Sequence, residues 1–133
     1  MNQRDAFLNG FRGETIGTIS NHSSPDELFQ NEVLRPILKL QNDLFVISFL
    51  NHINKNKIDF NNFTIEKKLT IIENAIQKDI KFRNALKGMI IGLFTIEEYA
   101  IYIKNSSSLN KRMMGMLIER LKNQVQLLEQ SII

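Results

Sequence analysis

Asp79 and Arg83 stand where apolar side chains belong. In "AIQKDIKFRNALKGMIIG", residues 75–92, a helical period runs through Ile76, Leu86 and Ile90, and the acid and the base fall on the same arc. They are four residues apart with the acid first, the favourable order for a helical ion pair. An exposed pair of this kind contributes about 0.3–0.5 kcal/mol. A buried one costs several kcal/mol of desolvation per ion and needs further hydrogen bonds. The chemistry open to such a pair is recognition. The planar fork of Arg83 matches both oxygens of a carboxylate or phosphate, and Asp79 would orient it. Other polar residues also break apolar arcs: Gln41, Ser48 and His52 on an earlier helix, Asn110 and Arg120 on the last. Three readings stand side by side: a polar network fixing helix register, the polar rim of a subunit interface, or a pocket in the bundle holding an anionic ligand. The expectation common to them is that Asp79 and Arg83 are mostly buried and joined to a polar side chain on another helix.

Other chemistries find no footing. There are no cysteines, so thiolate metal sites and disulfides are impossible. The two histidines, His22 and His52, lie outside His-x-x-x-His and Glu-x-x-His spacing, which removes the usual zinc and di-iron patterns. Met113, Met114 and Met116 read as flexible core filling rather than haem ligands. No glycine-rich dinucleotide turn, phosphate loop or nucleophile elbow occurs. Glu73, Gln77 and Asn84 make a polar stripe that reads as a solvated helix edge. No metal and no cofactor is expected, and whether the protein is an enzyme stays open.

The elements that must position these residues are helices. At "SSPDE" Ser24 suits an N-cap, Pro25 the first helical position, and Asp26 and Glu27 the positive end of the dipole. This helix is expected to run to about Asn51 with a kink or boundary near Arg35, because Pro36 lies inside it. From Leu44 to Leu50 only Ser48 is polar, so the segment should be covered on all sides. Thr64 caps a second helix reaching about Gly88 or Gly92. Thr95 and Glu98 have capping-box spacing for a short third helix. Ser107 or Ser108 opens the last, which continues to about Gln130 along Leu109, Met113, Leu117 and Leu121. Residues 1–23 hold Gly10, Gly13 and Gly17 without a sustained period. They read as a flexible or partner-packed arm, in which "ETIGTIS" is at most a lone strand.

The fold expected is therefore all-α: one single-domain bundle of four to five helices over residues 24–133, with a flexible N-terminal arm over 1–23. A chain of 133 residues suits one domain and can bury a genuine core. The absence of cysteine points to a reducing compartment, the cytoplasm, and no secretory signal opens the chain. The longest apolar run, "LFVISFL", is far too short to span a bilayer, so no membrane partner is expected. Net charge is +3, with a pI near 9.3, but the signs are interspersed. Nucleic-acid binding rests on that pI alone and ranks last. A small chain with an apolar segment like Leu44–Leu50 favours a self-associating interaction module, a homo-oligomer or a partner in a protein complex. A small-molecule site for an anion ranks behind it.

The stretches "LRPILKLQNDLFVISFLN", "IENAIQKDIKFRNALKGMIIG", "FTIEEYAIYI" and "NSSSLNKRMM" resemble a group of short uncharacterised bacterial proteins often labelled glyoxalase, over about residues 30–123. The resemblance implies a bacterial origin and no established activity. Glyoxalase-type enzymes use paired βαβββ modules with His and Glu metal ligands. This sequence has neither the strands nor the ligands, so no catalytic residue carries over.

Overall fold

In the computed structural model residues 2–12 and 24–130 are described, and among them every regular element is helical. In chain order these are α1 (Gln3–Phe11), α2 (Pro25–Phe29), a π-helical turn (Gln30–Leu34), α3 (Arg35–Leu40), α4 (Asn42–Lys55), a 3-10 turn (Phe60–Asn62), α5 (Ile65–Lys78), α6 (Ile80–Ile91), α7 (Ile96–Lys104), α8 (Ser106–Asn123) and α9 (Val125–Gln130). No helix among the described residues is long and apolar enough to cross a membrane. The chain divides into two compact units, Met1–Gln41 with Lys87–Met113, and Asn42–Leu86 with Met114–Ile133.

The helices are shorter and more numerous than the four to five expected, and each break has a local cause. The long helix from Ser24 starts as read: Ser24 Oγ accepts from Glu27 N at 3.1 Å and Pro25 occupies the first turn. It then widens into the π turn, where Arg35 N donates to Gln30 O. Pro36 has no N–H to give and its ring would collide with a carbonyl one α turn earlier. The wide turn before it makes room. A second break falls at Gln41, whose φ of −89° and ψ of 4° leave α geometry. Of the Leu44–Leu50 segment, Phe45 and Phe49 are fully buried, while Leu44 and Ile47 are exposed, so it is not covered all round.

The helix expected from Thr64 to Gly88 is interrupted at Asp79, which is extended at φ −88° and ψ 99°. At the N-terminus the expectation of a flexible arm is corrected over Gln3–Phe11. That stretch is a helix capped by Asn2, whose Oδ1 accepts from Asp5 N at 2.7 Å. Gly13, Gly17, "ETIGTIS" and His22 lie outside the described residues.

In the first unit Phe29, Leu34, Ile37, Ile90, Phe94 and Leu109 form the core, with Phe94 edge-on to both Phe29 and Tyr102 at centroid distances of 5.4 and 5.6 Å. In the second unit the core is Phe45, Phe49, Ile72, Ile76, Leu86, Leu117 and Leu121. Burying each such side chain contributes about 1.5–3 kcal/mol.

Candidate functional site

In the second unit the expected pair is a helix break. Asp79 ends α5 and caps α6: its Oδ1 accepts from Phe82 N at 3.1 Å, and its backbone oxygen accepts from Arg83 N at 2.9 Å. A short acid prefers this place to a helix interior, because its oxygen satisfies an orphan N–H of the first turn. Arg83 serves the other terminus, donating from Nη1 to Gln77 O at 2.9 Å in the last turn of α5. A cation there meets the negative end of that helix. Acid and base thus address different helix ends. Asp79 keeps 43% of its side chain exposed and Arg83 is half-buried. The expectation of a mostly buried pair is corrected, because the apolar arc turns aside at the break.

The structure does bring His52 to Asp79. The imidazole, 13% exposed, stacks on Phe82 with centroids 4.1 Å apart and an interplanar angle of 13°. Its Nε2 lies 3.9 Å from Asp79 Oδ2, an electrostatic contact beyond hydrogen-bond length. Asn56 Nδ2 approaches Nδ1 at 3.4 Å and donates to the His52 carbonyl at 2.8 Å. Burial pushes the His52 imidazole below its ordinary value, Asp79 opposes that shift and Lys55 reinforces it. Beside it opens a groove of about 660 Å³. Half-buried Ile58 and Ile71 and buried Ala75 line it, with exposed Lys78 and Lys81 at its margin.

The remaining sequence candidates are spread over separate contacts. Gln41 donates from Nε2 to Met89 O at 3.0 Å in the first unit. Asn110, also there, accepts from Tyr102 Oη at 2.6 Å. In the second unit Arg120 reaches Asn42 Oδ1 at 3.4 Å, within an amide pair in which Asn42 and Gln124 exchange bonds of 2.8 and 2.7 Å. Ser48 is half-buried on α4. Among the described residues no group of three or more His, Asp or Glu side chains is placed to hold a metal ion.

The more closely built polar site was not read from the sequence. In the first unit Arg12 grips Glu98 with its two terminal guanidinium nitrogens, Nη1 and Nη2, each bond 2.9 Å, and the two side chains are only 6% and 17% exposed. Glu98 also accepts from Thr95 N at 2.8 Å, closing the capping box that the spacing predicts. Asp5, 7% exposed, takes Ile96 N at 3.1 Å, and Arg4 reaches Gly92 O at 2.7 Å. Asp5, Leu8 and Arg12 share one face of α1, within about 60° of one another at 100° per residue. About 110° round from it, Phe7 and Phe11 stack in solvent, centroids 5.3 Å apart, at 65% and 59% exposure. Helix α1 therefore holds charge inward and aromatic rings outward. On α7, Ile96, Tyr99 and Ile103 form an exposed stripe at three-and-four spacing. Elsewhere in this unit Asp26 accepts from Ser108 Oγ and from Asn105 Nδ2, and those bonds, with Arg112 beyond, hold its carboxyl below the usual range.

No protein-family model matches the chain, and no curated protein and no solved structure matches it.

Proposed function

We propose that this protein is a helical interaction module that self-associates or joins a protein complex through apolar side chains held in solvent on the first unit. The observation behind this reading is α1. Its buried charges fix its rotation through Asp5 and Arg12, and that rotation leaves Phe7 and Phe11 outward. A contiguous exposed aromatic pair on a fixed helix is the kind of surface that marks a protein contact. The cytoplasm is the proposed location, since a cysteine-free chain suits a reducing compartment. Kinship with the short bacterial proteins rests on sequence likeness alone. Replacing Phe7 and Phe11 together by Ser should leave thermal stability within about 0.5 kcal/mol, as for exposed sites. It should lower the weight-average mass seen by sedimentation at 10–100 µM, a range of roughly micromolar affinity. A wild-type chain that sediments as a monomer throughout and binds no apolar dye would defeat the reading.

A second reading is favoured by the groove of the second unit. Its largely apolar lining and two exposed lysines, against the single carboxylate of Asp79, suit an amphipathic anion, a chain with a carboxylate at one end. Octanoate should raise the melting temperature and shift the His52 ring resonances, while octanol should do neither. Equal shifts from both would leave only apolar contact.

A further inference from the structure

Helix α7 carries a charge of each sign on one flank. Glu97 in its first turn and Lys104 in its last are seven residues apart, so they align within about 20° along the helix. Ala100 lies between them in height and about 50° round from their line, toward the apolar stripe, and all three are exposed. Beyond Ala100 runs the apolar stripe of Ile96, Tyr99 and Ile103, at 62%, 47% and 56% exposure, while Ile101, 47% exposed, stands on the far side of the charged line. Glu98 and Tyr102, on the inward side, are engaged by Arg12 and Asn110 and hold the rotation of the helix. The outward face thus has a narrow apolar seam, a small residue at its middle and one charged flank whose sign reverses from end to end.

That pattern is self-complementary in one arrangement. A two-fold axis perpendicular to two antiparallel helices sets like flanks against each other with their ends exchanged. Each Glu97 then meets the Lys104 of the other copy, Ile96 meets Ile103, and Ala100 sits close to the axis where the backbones come nearest. A parallel pair would instead set the charged flank against the tyrosine flank. We infer that α7 is a further self-association seam, in addition to the Phe7–Phe11 surface, pairing antiparallel with α7 of a second copy of this chain about an axis near Ala100. This rests on the reading of the protein as an interaction module and assigns its occupant. The exposed seam amounts to a few hundred Å² per chain, less than the ~800 Å² of a standard interface. The dimer should accordingly form in the micromolar range rather than the nanomolar.

Charge reversal gives the test. Glu97→Lys alone and Lys104→Glu alone each turn two attractive contacts repulsive and should weaken self-association roughly tenfold at low salt, read by sedimentation equilibrium. Mixing the two single variants should restore association, because every contact between them is again opposite in sign. Circular dichroism confirms that each variant keeps its helicity. Because the chain has no cysteine, Ala100→Cys introduces a unique thiol, which should form a disulfide-linked dimer on mild oxidation, while Lys111→Cys should not. Single reversals that associate like the wild type, or a wild-type monomer across the range, would overturn the α7 seam. If wild-type association persists through the reversals but falls with the Phe7 and Phe11 changes, the interaction reading stands and the α7 seam does not.

Discussion

The Arg12–Glu98 pair of the first unit joins residues 86 apart, whereas Asp79 and Arg83 of the second sit in one turn and turn away from each other. In the first unit two desolvated charges are spent on each other, and their bidentate bond fixes one helix against another. In the second, each charge serves a backbone terminus and keeps contact with water. Proximity in sequence is thus a poor guide to pairing. A helix that breaks at the acid gives that acid to the new N-terminus and lets the base reach back to the old C-terminus.

The contrast can be broken most directly at Glu98. Glu98→Ala strands the Arg12 guanidinium in a dry place and opens the capping box, so it should destabilise by about 3–5 kcal/mol in urea unfolding. Converting the pair to Arg12→Met with Glu98→Leu should recover much of that loss. A cost for Glu98→Ala under about 1 kcal/mol would show that the pair is solvated. At the second site the expected loss is smaller. Asp79→Ala should cost about 1 kcal/mol, the value of an N-cap, and Asp79→Ser should restore most of it. A loss approaching that of Glu98→Ala would return Asp79 to the role of a buried counter-ion.

A gentler effect belongs to His52. Its folded value lies below the ordinary 6.5, so on acidification the unfolded chain takes up a proton first. Stability is therefore fully present above about 6.5, declines as pH falls through the window down to the folded value, and levels off below it. Urea midpoints at several pH values and fixed ionic strength should show that step, and His52→Leu should remove it. The smallest effect is expected between Asp79 and Arg83 themselves. Since they address different partners, a double-mutant cycle to Ala should give a coupling below about 0.5 kcal/mol.

What could be read in advance follows from the range of the forces involved. Ser24, Thr64 and Thr95 declare their helix starts because a cap bonds to an N–H two or three residues on. The all-helical character follows from apolar periodicity and is equally local. Asp79 was misread for the same reason: Ile72, Ile76, Leu86 and Ile90 keep helical phase across the break, and phase says nothing about a change of direction. The signal that could have found it is the residue type itself, since Asp is poor in a helix interior and good as a cap. Arg12 and Glu98 left no comparable trace. The period of α1 is hard to see because its inward face mixes Asp5 and Arg12 with Leu8, while Phe7 and Phe11 look outward.

The π turn at Gln30–Leu34 has a consequence for how this helix bears a change of length. An insertion or deletion inside an ordinary helix rotates everything beyond it by about 100° and pulls a core apart. A wide turn can absorb such a change, because it holds one residue more than an α turn spans. Here the wide turn ends at Leu34, two residues before Pro36, and keeps buried Phe29, Leu34 and Leu38 in one core across it. Deleting one residue of the turn together with Pro36→Ala should therefore be tolerated better than a deletion inside α8.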